Sequence, residues 1–103
     1  MLYSIIIPCY KSSATIRKVV EQTMYQMERM ERTPFEFVLV DDSSPDGGAT
    51  ARELEALADD YPYVTAVELA KNAGQHNAVM AGLNHASGDI LIAMDDDMQT
   101  HPS

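Results

Sequence analysis

Apolar positions along this 103-residue chain fall into two alternating rhythms. Tyr3-Ser4-Ile5-Ile6-Ile7-Pro8 is a short, nearly continuous apolar run of the kind that forms a strand buried on both faces, ended by a proline that has no N–H to give a ladder. Ile16, Val19, Val20, Met24, Met27 and Met30 then recur at helical spacing, with Ser12 or Ser13 available to cap the helix. Methionines in that pattern are packing residues rather than metal ligands. Phe35-Glu36-Phe37-Val38-Leu39-Val40 reads as a second strand, broken by Asp41-Asp42-Ser43-Ser44-Pro45-Asp46-Gly47-Gly48, a run made of turn-forming residues. A helix over 50–61 places Leu54, Leu57, Ala58 and Tyr61 on one face and is closed by Pro62. A third strand over 64–69 follows. The next helix carries Val79, Gly82, Leu83 and Ala86 on one face and stops at Ser87-Gly88, before a fourth strand over 89–94.

Regular alternation of strand and helix predicts an α/β fold, a three-layer α/β/α sandwich around a four-stranded, mostly parallel sheet. There is no internal repeat or linker, and the length suits one domain. Ligands of such sheets bind at the carboxyl ends of the strands. Pro8-Cys9-Tyr10-Lys11, Asp41-Asp42, Lys71-Asn72 and the segment 95–99 all fall at those ends.

Charge narrows the partners. The formal charge is −9, from 16 acids and 7 bases, and no bases form a run, so nucleic acid is excluded as a partner. If phosphate binds here, a metal must carry much of the charge balance. The lone Cys9 excludes an internal disulfide and a cysteine-based zinc site, which points to a reducing, cytoplasmic setting. The apolar run 5–7 is too short to span a membrane, and Pro8 with no basic segment before it argues against a signal peptide.

Asp95-Asp96-Asp97 carries the most specific chemistry. Three adjacent carboxylates repel one another, and a divalent cation with oxygen ligands relieves that repulsion. Extended residues alternate faces, so Asp95 and Asp97 pair on one side with Gln99 next, while Asp96 faces away. Asp42 is the better ligand contact of its pair, able to accept from a base N–H or ribose hydroxyls; Asp41 is equally suited to holding the turn after it. Tyr10 can stack on a base or cover the sheet edge, and Lys71 can balance a diphosphate or simply be solvated. Gly47-Gly48 matches neither a dinucleotide nor a Walker pattern, whereas Gly74 permits close backbone approach at a helix N-terminus. His76 and His85 do not read as metal ligands, and His101 is a weak candidate.

With these residues placed, the sequence resembles family 2 glycosyltransferases of the GT-A fold, in the polyprenyl-phosphate and dolichol-phosphate branch. Four segments carry the likeness: Ser4-Ile5-Ile6-Ile7-Pro8-Cys9-Tyr10, Val40-Asp41-Asp42-Ser43-Ser44-Pro45-Asp46-Gly47, Lys71-Asn72-Ala73-Gly74-Gln75-His76-Asn77-Ala78 and Asp95-Asp96-Asp97-Met98-Gln99. The resemblance implies a Rossmann-like GT-A nucleotide-binding half. Pro8, Tyr10, Asp42, Lys71 and Asp96 would then be its nucleotide-binding set, with Asp95, Asp97 and Gln99 at Mg²⁺ or Mn²⁺. The implied reaction is inverting transfer from a UDP- or GDP-sugar to a lipid-linked phosphate in cell-envelope glycan synthesis, at the cytoplasmic face of a membrane. An already ionised phosphate acceptor needs no general base.

The chain has Lys11-Ser12-Ser13 where members often carry Asn-Glu, so its base contact is expected to differ. Residues 1–103 are expected to be a truncated N-terminal part, with the acceptor-binding and any catalytic residues beyond Ser103 and no transfer by this piece alone. An uncovered sheet edge would favour homo-oligomers. Two other classes are weighed against this reading. A sugar-phosphate nucleotidyltransferase needs a glycine-rich basic loop that residues 8–13 lack. A receiver-like Mg²⁺-binding module needs an acid pair where Pro8-Cys9 stand.

Overall fold

The structure is a computed structural model and describes residues 1–71 and 74–94. Strands β1 (Tyr3–Cys9), β2 (Phe35–Asp41), β3 (Val64–Glu68) and β4 (Ile90–Ala93) alternate with helices α1 (Ile16–Arg29), α2 (Ala49–Asp60) and α3 (Gln75–His85). The sheet has the order β3-β2-β1-β4 and every described pairing is parallel, so the mostly parallel sheet of the sequence reading is wholly parallel here.

Winding direction explains the layers. The chain steps outward from β1 to β2 to β3, then returns past β1 to lay down β4. With right-handed crossovers the outward helices cover one face and the returning helix the other. Accordingly α1 and α2 pack on Ile5, Ile7, Cys9, Phe37 and Leu39. On the opposite face α3 meets Ile6, Val38 and Val40 through Ala78. β1 and β2 are buried on both faces, and Ile5, Ile6, Ile7, Val38, Leu39 and Val40 are all fully enclosed, as continuous apolar runs require.

Small residues set how closely α3 lies. A Cβ built on Gly82 would stand 2.5 Å from Ile6 Cγ2 and 3.2 Å from Val40 Cγ2. The α3 face therefore centres on Ala78 and Gly82, with Val79, Leu83 and Ala86 half-buried around them.

Several local expectations need correction. α1 starts behind Thr15 with no side-chain cap. Ser12 instead supplies its carbonyl to the N–H groups of Thr15 and Ile16, at 3.0 and 2.9 Å, while its hydroxyl accepts the Tyr10 N–H. Met24 and Met27 are buried, but Met30 is 51% exposed because the helix ends before it and Glu31 turns the backbone to φ 57°. β3 stops one residue short of Leu69, and β4 is bounded by Ile90 and Ala93. On β4, Leu91 faces the α3 side of the sheet yet remains 52% exposed.

A carboxylate pair joins α2 to β3. Hydrogen bonding to Glu55 is the main cause that raises the Glu68 pKa above the ordinary carboxylate range, followed by burial and the charges of Glu55 and Asp41. The folded state therefore holds this proton more tightly than the unfolded chain. The resulting stabilisation is present below the unfolded carboxylate value and is lost as pH rises through the raised folded value. Glu68→Gln, which removes one of two facing charges, is expected to raise the melting temperature at neutral pH, and the gain is expected to fade near pH ~4. Thermal melts across that range check it; a lower melting temperature at pH ~7 would contradict the repulsion.

Candidate nucleotide-binding rim

All four parallel strands present their carboxyl ends at one edge, and the strand order reverses between β1 and β4. Such a reversal opens a crevice where sheets of this kind take ligands. Backbone direction at this point follows from two hydrogen bonds. The Cys9 carbonyl accepts the Asp42 N–H at 2.9 Å, toward β2, and the Ile6 carbonyl accepts the Met94 N–H at 3.0 Å, toward β4. Residues of a strand alternate sides, so Pro8 is the next residue of β1 to face β4. It has no N–H for the Met94 carbonyl. Proline was expected to end β1; instead β1 pairs with β2 as far as Cys9↔Asp41, and Pro8 ends its pairing with β4. Asp95 follows Met94 directly in the sequence.

Two hydroxyl relays bind the loop after β1 to the loop after β2. Ser44 Oγ accepts the Lys11 N–H at 2.9 Å and donates to Asp41 Oδ1 at 2.6 Å, which also accepts the Ser44 N–H at 3.1 Å. Thr50 Oγ1 accepts the Ser12 N–H at 3.0 Å and donates to Asp46 Oδ2 at 2.5 Å. The same Asp46 oxygen accepts the Thr50 N–H at 3.2 Å and so satisfies a donor in the first turn of α2. The Thr50 hydroxyl is the main reason the Asp46 carboxyl lies below its ordinary value. Asp41 thus holds the turn, the structural one of its two possible roles. Thr50, fully buried, has no counterpart in the sequence reading. The signal available for it was a hydroxyl placed four residues after an aspartate at a helix start.

Asp42 is buried at the end of β2, and its Oδ2 accepts the Gly74 N–H at 3.1 Å. A carboxylate here faces the amino end of α3, where the helix dipole favours negative charge. Gly74 takes φ 90°, ψ 156°, a backbone that its missing side chain permits. Pro8, Val40 and Asp42 belong to the face covered by α3. Tyr10 leaves the end of β1 45% exposed, with the Lys11 ammonium 5.6 Å over its ring. Lys71 is exposed between β3 and α3. His76 and His85 are exposed on α3.

The rim therefore brings Pro8, Tyr10, Asp42 and Lys71 to one edge. Asp95, Asp96, Asp97, Gln99 and His101, together with Asn72 and Ala73, lie outside the described residues. Among the described residues no group of three or more His, Cys, Asp or Glu is placed to hold a metal ion. As metal ligands, Asp95, Asp97 and Gln99 would each present oxygen, a donor chemistry that fits Mg²⁺ or Mn²⁺ better than a softer ion.

Comparison with known proteins gives this edge a context. Residues 4–103 match the family model described as glycosyl transferase family 2. The undecaprenyl-phosphate 4-deoxy-4-formamido-L-arabinose transferase of Proteus mirabilis is 38% identical over 99 residues, which cover 96% of this chain and 30% of that protein. The protein of the same name from Yersinia enterocolitica is 40% identical over 101 residues, again covering 96% and 30%. The chain thus spans about 30% of the length of the curated relatives it matches. Among solved structures, the mannosyltransferase PcManGT of Pyrobaculum calidifontis, in complex with GDP-Man and Mn²⁺, superposes with a TM-score of 0.77 at 28% identity, covering 92% of this chain and 27% of that one. S. aureus TarS 1-349 gives 0.76 at 27% identity, covering 94% and 28%.

Proposed function

Since the chain belongs to glycosyl transferase family 2 and folds as a GT-A α/β unit, we propose that its rim binds a nucleoside diphosphate sugar, UDP- or GDP-linked, together with a divalent metal. One observation carries this reading: the polar ends of β1 and β2, with the loop after β3 tied to them through the Gly74 N–H on Asp42, lie at the edge that holds the β1/β4 reversal, where Met94 precedes Asp95 in the sequence. Tyr10 and Pro8 border the nucleoside, Asp42 offers its carboxylate to base or ribose donors, and Lys71 and Asp96 complete the nucleotide set. Asp95, Asp97 and Gln99 hold Mg²⁺ or Mn²⁺. When bound, such an ion neutralises the diphosphate and stabilises it as a leaving group.

The chain's own residues orient the donor. The Ser44 and Thr50 relays fix the β1 and β2 loops against each other, so Tyr10 and Asp42 are held in place before ligand arrives. Displacement at the anomeric carbon by an ionised phosphate oxygen would invert that centre and needs no general base.

In the longer protein, the acceptor is a polyprenyl phosphate, as the names of the relatives suggest, and the setting is cell-envelope glycan synthesis at the cytoplasmic face of a membrane. The 103 residues supply the donor-binding part, and acceptor contacts come from counterparts of the relatives' length that this chain does not cover. Among the described residues no helix is long and apolar enough to cross a membrane.

The test is a transfer assay with labelled UDP- and GDP-sugars and a polyprenyl phosphate, using the full-length protein. Metal-dependent formation of a glycosyl phospholipid with inverted anomeric configuration is expected. Retention of configuration, or turnover unaffected by a chelator, would contradict the reading.

A further inference from the structure

Lys11 lies outside the nucleotide-binding and metal-binding sets named above, yet its backbone takes φ 53°, in the left-handed region that long side chains seldom occupy. Strain of that kind persists only where surrounding structure imposes it, and it gathers at ligand-binding positions. Here the Ser44 hydroxyl, itself held by Asp41, fixes the Lys11 N–H. The side chain rests its ammonium on the Tyr10 ring, an attraction too weak to neutralise a cation. Three of the other cations have partners elsewhere: Arg17 is paired with Glu21, Glu53 and Asp60, Arg52 donates to the Gly47 carbonyl, and Arg29 lies over Tyr25. Among the described residues of the loops that follow β1, β2 and β3, the only cations are Lys11 and Lys71, and the ion pairs formed by Arg17 on α1 do not involve Lys11.

Electrostatics supplies the partner. In a chain of net charge −9, with Asp41 and Asp42 at the same edge, a diphosphate is repelled by the neighbouring carboxylates, and a cation near the phosphates offsets part of that repulsion. β1 neighbours β4 in the sheet, and Met94, whose N–H donates to the Ile6 carbonyl of β1, directly precedes the acidic segment in the sequence. Resting on the above reading of the rim as a donor site, we propose that Lys11 is a diphosphate-binding residue, a cation kept on the Tyr10 ring and drawn onto the phosphate oxygens of the bound nucleotide. Lysine binds phosphate as a mobile point charge, which suits a side chain that must leave one partner for another.

Calorimetric titration with UDP and GDP in the presence of Mn²⁺, beside uridine and guanosine, tests it on wild type, Lys11→Met, Lys11→Arg and Lys11→Asn. Lys11→Met is expected to weaken the diphosphate that binds by about ten-fold at low salt and by less at high salt, with the nucleoside changed by less than about two-fold. Lys11→Arg is expected to retain most of the affinity. Asparagine accepts a left-handed backbone more readily, so Lys11→Asn is expected to melt no lower than wild type while binding as weakly as Lys11→Met. That combination separates a ligand contact from a merely structural residue. Wild-type affinity in Lys11→Met would overturn the proposal and leave the donor site standing. An equal loss for nucleoside and diphosphate would also overturn it, by placing Lys11 on the base. No nucleotide binding by folded wild type would overturn the donor reading itself and this proposal with it.

Discussion

Gly88→Ala is expected to destabilise the fold by about 3 kcal/mol, the upper part of the range for overpacking a tight site. A Cβ at this position would collide with Ser4 Oγ and stand 2.8 Å from the Leu2 carbonyl oxygen and 2.9 Å from the Ser4 N. Two of those neighbours are backbone and cannot swing aside. The same contact region holds β4 to β1: the Gly88 N–H donates to Ser4 Oγ at 2.7 Å, and the Asp89 and Ile90 N–H groups share the Leu2 carbonyl at 2.8 and 3.2 Å. Ser4 Oγ in turn donates to Glu36 Oε2 at 2.5 Å, an oxygen that also accepts the Ser87 N–H at 2.7 Å. Moving Gly88 therefore disturbs the whole junction. Set against a total of about 5–15 kcal/mol for a chain of this size, the loss lowers the melting temperature by more than about 10 °C. Gly47→Ala is the control. Nothing lies within 4 Å of a Cβ there, and only its φ of 68° opposes the substitution, so it should cost about 1 kcal/mol. Comparable melting temperatures for the two variants would show that the Gly88 contact is not tight.

Replacing Asp95 and Asp97 together by alanine is expected to weaken metal-dependent nucleotide binding by more than about 100-fold, since even residues that only support metal ligands are worth 10–100-fold. The same change removes two of three adjacent negative charges. Without metal the variant is therefore expected to melt no lower than wild type, and Mn²⁺ should no longer raise its melting temperature. Scanning fluorimetry with and without Mn²⁺ reads both effects. A variant that still gains stability from Mn²⁺ would move the metal site elsewhere.

The order of elements and the position of the rim were legible because the sheet is parallel and enclosed. Ile5-Ile6-Ile7 and Val38-Leu39-Val40 are buried on both faces, so each strand is a continuous apolar run that turn residues bound clearly. Ile16, Val20, Met24 and Met27 likewise carried the period of α1. The period misled at Met30 because a repeat in sequence does not say where a helix ends. Ala78 and Gly82 were hard to weigh for a different reason. Small residues carry little hydrophobic signal, and their burial comes from how closely α3 approaches Ile6 and Val40.

At the rim, residue type located the chemistry but not the partners. The acidic pair after β2 divides its roles: Asp41 accepts from Ser44, and Asp42 reaches Gly74 across 32 residues of sequence. Only the register of β2 against its neighbours separates them. Pro8 was legible as a ladder stop, whereas which ladder it stops depends on the side of β1 its nitrogen faces. Thr50 is buried by two hydrogen bonds, so no periodic rule could have found it.

Calorimetric titration of the wild-type chain with UDP and with GDP, each in the presence and absence of Mn²⁺, tests the central claim most directly. Binding of one of the two nucleotides that requires Mn²⁺ is the predicted result, and it would also name the base of the donor. A folded chain that binds neither nucleotide, or binds one equally well without metal, would contradict the account of the rim as a metal-dependent donor site.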